Sequence, residues 1–459
     1  MERLKMIFLF KLLNLFKFSP YFCLMNWMHR LRIFFRHSAW ILALCGSATV
    51  AAVDLSWTGF GTLGYSQSNR DYAYLRFIDS GGTFQTDSLL GGQVDAQISK
   101  QWSAALQVQL RPSLQHESAW DLKPSLAFVA WRPDDDWLLR AGRFRAPLLM
   151  FSESIELGTS YDMARLPHEL YGIFPIKEFD GLYVSRFWPI GDRELTAEVF
   201  GGTGDTTLRA WVRNELPPIW EPGAFFSDTR ITSRGYALTL RDRSTVWRAG
   251  LTRAKAYAVN PSKWVASFPW VQIAPGLGYW QVSDALPGPG VSMVQAVTLD
   301  VLTAGVEKSF GQGWRVAAEL GQAKQLESEL SVSAMSGYVM LSKDIGNFTP
   351  YLSLSRVLSD SKQRRWYENL SHATLPAAVP NAAALVAAQR AMADLITIYD
   401  QYSYALGTSY AFDSDSKIKI EWVRTHIGLG STLVDSPAHA NPVGRTHIDA
   451  LSFNYSFVF

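Results

Sequence analysis

The chain has 459 residues, 48% of them hydrophobic, 18% charged and 13% aromatic, which supplies enough apolar surface for a large fold and excludes global disorder. No stretch after about residue 50 reaches the roughly 18 unbroken apolar residues of a membrane-crossing helix, so a helical membrane bundle is excluded too. Mean hydropathy is −0.01, the neutral average of strands that alternate lipid-facing and water-facing side chains, and equally that of a soluble all-β protein.

From Met28 the order is basic (His29, Arg30, Arg32, Arg36), then apolar (Ala39 to Leu44), then small, ending Thr49-Val50-Ala51-Ala52. That order predicts a cleaved secretory signal over residues 1–52, with translation starting at Met1 or internally at Met25 or Met28. Both cysteines, Cys23 and Cys45, fall in this leader, so neither a disulfide nor a thiolate metal site is expected after it. Residues 1–52 hold seven of the 43 bases and one of the 41 acids, and without them the formal charge turns from +2 to −4. No basic excess on the scale of a nucleic-acid binder remains.

Over residues 53–459 the chain reads as about sixteen strands, near 54–66, 88–99, 101–112, 122–132, 136–145, 179–188, 194–203, 231–241, 245–256, 293–308, 313–324, 331–343, 347–358, 401–412, 416–426 and 447–459. Alternation is cleanest at Trp102, Ala104, Leu106, Val108 and Leu110 against Ser103, Ala105, Gln107, Gln109 and Arg111, and in the last segment. There Leu451, Phe453, Tyr455, Phe457 and Phe459 share one face, and Ser452, Asn454, Ser456 and Val458 the other. A soluble edge strand of that kind would aggregate; lipid suits it. Every second connection is a tight turn and the others are mostly long, the parity of an up-and-down barrel with short periplasmic turns and longer outer loops. The expected fold is therefore an all-β, transmembrane, antiparallel up-and-down β-barrel.

Two long connections stand out. Ala146 to Glu178 carries Leu148, Leu149, Met150, Phe151 and Ile155 among acids and prolines, too apolar for a solvated tip, so it is expected to fold inward onto the barrel wall. Ser359 to Asp400 includes Asn381–Leu395, with Leu385, Met392, Leu395 and Ile396 at helical spacing, which predicts a helix N-capped by Asn381.

Three stretches, WTGFGTLGYS from Trp57, DWLLRAGRFRAP from Asp136 and the terminal LSFNYSFVF, resemble the Gram-negative porin family, as does the layout of nearly the whole segment after the leader. The resemblance implies that the loop after the fifth strand is the constriction loop. It also implies that the face bearing Phe453, Tyr455, Phe457 and Phe459 is read by the barrel-assembly machinery, that the barrels form homotrimers, and that outer-membrane lipid and lipopolysaccharide surround them. The chain departs from the family in its very long seventh loop and lacks the terse acidic constriction motif of enterobacterial porins.

Inward acids facing inward bases set up a transverse field that favours small polar solutes. Glu153, Glu156, Asp162 and Glu169 are the acidic candidates on the loop. On the wall, alternation turns Arg111, Arg140, Arg248 and Arg315 inward, while Arg143, like Arg145, joins them only if a bulge at Gly142 re-aims it. For each arginine the plainer role is a structural ion pair or a rim contact with lipopolysaccharide. Trp57, Trp102, Trp137, Trp247, Trp314 and Trp422 suit interfacial girdles. No serine motif accompanies the strand-borne His426 and His447, and neither enzyme chemistry nor any cofactor or metal is expected. The expected function is a passive outer-membrane diffusion channel for small hydrophilic solutes. The alternatives are a substrate-selective anion channel, which needs a dense row of inward bases, and a plugged barrel acting as an adhesin or receptor.

Overall fold

The computed structural model describes residues 53–113, 117, 119–174, 178–213, 221–260 and 263–459; the expected leader at 1–52 lies outside them. Strands run β1 Asp54–Ser68, β2 Leu89–Gln97, β3 Trp102–Pro112, β4 Trp120–Trp131, β5 Trp137–Arg145, β6 Glu178–Ile190, β7 Arg193–Val212, β8 Gly223–Arg241, β9 Thr245–Asn260, β10 Trp264–Ser267, β11 Trp270–Ala274, β12 Leu277–Trp280, β13 Ser292–Val294, β14 Ala296–Ser309, β15 Trp314–Gln325, β16 Ala334–Lys343, β17 Phe348–Ser359, β18 Tyr399–Ala411, β19 Ser416–Ser431 and β20 Thr446–Val458. Sixteen of them, β1 to β9 and β14 to β20, close into one antiparallel barrel in sequence order, with β20 paired back onto β1. β10 to β13 form two small hairpin sheets within the connection between β9 and β14.

Each of the sixteen expected segments has a barrel strand. The difference is in length: β7 and β8 stay paired as far as Val212 and Gly223, well past 194–203 and 231–241. Beyond the apolar belt both faces of a ribbon are wet, so the extension carries no apolar alternation to read. It is held by polar cross-strand pairs instead, such as Thr207 Oγ1 donating to Asp228 at 2.9 Å and Arg230 Nε to Asp205 at 2.8 Å.

The tight turns lie at one end of the barrel and are made by side chains suited to them. Asp242 accepts from the backbone N–H of Ser244 and of Thr245, each at 2.8 Å, and Asp134 does the same for Asp136 and Trp137 at 3.0 and 3.1 Å; such local carboxylate bonds stand in for a backbone turn. Gly313 and Gly346 sit at φ 80° and 61°, where a Cβ would be strained. At the same end the outward face presents Trp57, Trp102, Trp247, Trp314 and Phe459, all well exposed, as an aromatic girdle. Trp422 lies mid-strand in β19. Farther along, the outward face is aliphatic, with Leu106, Leu182, Leu251, Leu320, Leu354 and Leu406 at least half exposed or nearly so. The barrel closes through glycine: a Cβ on Gly59 would lie 2.3 Å from the Phe459 ring.

The seventh outer connection holds two helices, α1 Ser361–Ser371 and α2 Ala382–Asp394. α2 matches the expected helix, but Asn381 is in the left-handed region at φ 59° and its side chain makes no cap bond. The side-chain cap is on α1, where Asp360 accepts from the Gln363 N–H at 3.0 Å. Trp366, Tyr367 and Leu370 of α1 pack on Ala388, Met392 and Ala393 of α2 and on Phe268 and Val282 from the β9–β14 connection.

Candidate functional site

Residues 146–174 leave the end of β5 and turn into the lumen. Leu149, Met163, Leu166, Leu170, Tyr171 and Phe174 form a dry cluster with Val301, Ala317, Tyr338, Met340 and Tyr351 of β14 to β17. Burying each such side chain is worth about 1.5–3 kcal/mol, which is why this loop is apolar on one side. The rest of the loop meets a polar wall and brings hydrogen-bond partners to it, since buried polar groups are costly unless paired.

Those partners follow the loop round the barrel. Arg248 on β9 pairs with Glu198 on β7 at 2.7 Å and donates to the Pro147 carbonyl, also at 2.7 Å. Glu319 on β15 accepts from the Met150 N–H at 2.8 Å, from the Tyr338 hydroxyl at 2.9 Å and from the Tyr171 hydroxyl. The loop then crosses back. Glu153 takes a 3.0 Å bond from Arg140 on β5, whose guanidinium lies over the Phe128 and Tyr183 rings at 5.1 and 5.0 Å. Glu156 is paired with Arg145 and lies 3.7 Å from Arg111 on β3. Gly158 lies against the β1–β20 seam, where a Cβ would come within 2.2 Å of Ser456 Oγ.

Asp162 is shared by Arg315 on β15, Lys417 on β19 at 2.9 Å and the Ser409 hydroxyl on β18 at 3.0 Å. Burial pushes its carboxyl up, but the Lys417 ammonium and the Arg315 guanidinium outweigh that and hold it below the usual carboxylate range. Arg165 makes a two-pronged bond to Asp87 at 2.7 and 2.5 Å, beside Ser66. Glu169 accepts from Ser355 at 3.0 Å, Gln401 at 2.9 Å and Ser403. The Lys419 ammonium donates to the Met163 carbonyl at 2.9 Å and sits 3.9 Å from the centre of the Tyr161 ring.

All four acids expected on the loop are thus in the lumen, and Arg111, Arg140, Arg248 and Arg315 face it. Arg143 does not. It pairs across with Ala127 and Asp180, on the outward parity of Ala141 and Leu182, and binds the exposed Asp180 carboxylate at 2.9 and 2.8 Å. Gly142 has φ 127°, yet the β4–β5 register continues through it without a shift, so no bulge re-aims Arg143. Arg145, one turn of the pleat later, does reach inward because β5 ends there and the chain rolls into the lumen with the loop. The site candidates left out Arg165, Asp87, Glu198, Glu319, Lys419 and Glu421; the last four were readable as charged positions on the polar face of regular strands, whereas the partner of Arg165 comes from a connection with no periodicity.

Direct contact between these acids and bases differs from the arrangement expected, in which the two signs face one another across water. Below the loop, toward the tight turns, Ser56, Asp95, Gln97, Ser103, Phe128 and Arg140 line a cavity of about 410 Å³, and Glu153 is 56% exposed toward solvent. Above the loop, the buried pair Arg213–Asp394 ties the end of β7 to α2, at 2.6 Å from Nε to Oδ1. Arg209 on β7 binds both Glu117 and Asp435 of two further outer connections, at 2.6 and 2.8 Å.

No family model matches the chain, and no curated protein matches it. Solved structures do. The high-pH structure of Pseudomonas putida OprB aligns with a TM-score of 0.50 at 9% identity, covering 89% of this chain and 94% of that one. At that identity the likeness is one of fold: an outer-membrane-type β-barrel. Vibrio cholerae OmpT, described as an outer membrane protein, aligns at TM-score 0.49 and 10% identity over 90% of this chain and 99% of its own. An anion-selective porin from Comamonas acidovorans aligns at 0.47 and 12% over 89% and 100%.

Proposed function

We propose that the chain is an outer-membrane channel of porin type, a passive aqueous route for small hydrophilic solutes that is narrowed by residues 146–174. One observation carries the reading: a closed sixteen-strand barrel with an aromatic and aliphatic outer face encloses a polar wall onto which an inward loop is fastened by ion pairs. A soluble barrel has no use for an exposed belt of that kind. Because most of the lumen bases described above are matched by acids in contact with them, the channel is expected to discriminate weakly by charge, and among the described residues no dense row of unmatched bases favours an anion-selective pore. Homotrimer formation, surrounding lipid and lipopolysaccharide, and reading of Phe453, Tyr455, Phe457 and Phe459 by the assembly machinery belong to the same proposal. They are supported by the outward placement of Leu451 and Phe453 on β20 and of Phe459 just after it.

A second reading has a specific observation behind it. The loop touches wall strands on opposite sides of the barrel, and α2 is tied across the mouth to β7, which favours a channel closed at rest or a plugged barrel whose outer loops bind a partner. Refolding the chain from residue 53 into planar bilayers under an ion gradient tests both. Discrete conductance steps with a reversal potential near zero support the weakly selective channel. A folded barrel silent at all voltages sinks it and leaves the plugged barrel.

A further inference from the structure

The cavity of about 410 Å³ below the loop has acids on one wall and bases on the other. Register explains its shape. Inward positions run Asp95, Ala105, Phe128 in one row and Gln97, Ser103, Ala130, Arg140 in the next, so small side chains on β3 and β4 leave a hollow between the larger ones of β2 and β5. Its volume lies within the roughly 300–1,000 Å³ of small-molecule pockets.

The charges around the hollow are not matched as those of the loop are. Among the described residues no base lies in ion-pair contact with Asp54 on β1 or Asp95 on β2, and no acid with Arg132 just past β4. Asp95 is held in place all the same. Arg145 at the root of the loop donates to Gln107 at 2.9 Å, Gln107 to Gln93 at 2.8 Å, and Gln93 to the two Asp95 oxygens at 3.0 and 2.9 Å. A carboxylate fixed by a neutral amide keeps its charge and its remaining lone pairs for a ligand. On the other wall Arg140 is taken by Glu153, which leaves Arg132 as the free guanidinium, with Phe128 and Leu138 as apolar lining beside it.

We propose that this cavity is a subsite for a short zwitterionic peptide. Asp95 takes the ammonium, Arg132 takes the carboxylate, and Phe128 and Leu138 take an apolar side chain. A lone cation would leave Arg132 unmatched, and a lone anion would leave Asp95 so. Asp95 and Arg132 stand two strand spacings and four residues apart, about 16 Å between backbones. Their side chains and a hydrogen bond at each end take up about half of that, leaving the roughly 7 Å of two extended residues. The inference names a solute class for the channel proposed above and rests on that reading for the route, whereas binding needs no conduction.

The test is equilibrium dialysis of the refolded full barrel in detergent against three labelled probes: glycyl-leucine, its C-terminal amide, which lacks the carboxylate, and its N-acetyl form, which lacks the ammonium. The free dipeptide is expected to bind about tenfold more tightly than either blocked form. Asp95→Asn, which conserves shape, should abolish the advantage over the N-acetyl form and keep that over the amide. Arg132→Gln, at an exposed position, should do the reverse. Equal binding of the three probes, or unchanged ratios in both variants, overturns the proposal. Weakening of all three alike marks a structural role and overturns it too, and an amide bound as tightly as the free dipeptide assigns the cavity to cations instead. Conductance measured on the same samples separates the two ideas: a conducting barrel that binds none of the peptides defeats the subsite alone, and a silent one that prefers the free dipeptide defeats the open channel alone.

Discussion

Two segments close over the barrel lumen, and they are held in different ways. Residues 146–174 lie inside, where the wall is polar, and each turn of the loop supplies a partner to a different strand: Glu153 to Arg140, Asp162 to Arg315 and Lys417, Glu169 to Ser355 and Gln401. Residues 361–396 lie at the mouth, pack on apolar side chains of the β9–β14 connection, and are tied to the end of β7 by the Arg213–Asp394 ion pair. A segment inside a barrel must match a wall it did not choose; one at the rim can carry its core with it. The inner segment should therefore yield to many small losses, and the outer one to the loss of a single tie.

The largest effect is expected at that tie. Arg213→Ala removes the guanidinium from buried Asp394 and leaves it the backbone N–H of position 213, a loss of up to about 3–5 kcal/mol. α2 should then swing free, read as cleavage by added protease near residue 381 and as higher conductance with the lumen loop still in place. Unchanged protease resistance would show that helix packing alone holds the lid. Next comes Leu170→Ala, which empties a fully buried position in the lumen cluster at a cost of about 2–5 kcal/mol. Conductance noise should rise, while α2 should stay protected.

Asp162→Asn is expected to cost less, about 2–3 kcal/mol, because Arg315 and Lys417 keep 25% and 19% side-chain exposure and water compensates in part. It leaves two lumen cations with less negative charge opposite them, so the reversal potential should move toward anions; a move toward cations would contradict the pairing. The same carboxyl supplies a pH test. Its pKa is depressed in the folded state, so its stabilisation is complete above the unfolded carboxylate range and is lost as pH falls from about 4 downward. Release of the lumen loop at pH 6 would need another group. The smallest effect belongs to Arg143→Ala. Its pair with Asp180 is on the outer face, away from the lumen, so the change should leave conductance and selectivity untouched.

Much of this was legible beforehand, and the limits have physical causes. Strand positions followed from the period-two pattern because one face of each strand is apolar and the other polar. Where both faces are wet, in the outer halves of β7 and β8, the pattern vanished and so did the reading. Parity turned Arg111, Arg140, Arg248 and Arg315 inward and Arg143 outward, as the structure has them; the wall role for Arg143 needed a bulge at Gly142 that is absent, and parity failed only at Arg145, where β5 ends. α2 was visible as an apolar stripe, whereas α1, with charges at Lys362, Arg364, Arg365 and Glu368, shows its apolar side only as Trp366, Tyr367 and Leu370 against a partner distant in sequence.

By itself, then, the sequence determined the number of strands, their inward and outward faces, the parity of turns and loops, and the inward path of the apolar loop after β5. All of these are set by the alternation of side chains along a strand and by local turn chemistry, which act over a few residues. Only the tertiary structure decided which charges meet. Asp162 finds Arg315 across 153 positions, Glu169 finds Ser403 across 234, and Arg165 finds Asp87 across 78. Contacts that distant depend on the route of one loop through a closed barrel, and that route exists only once the first strand has met the last.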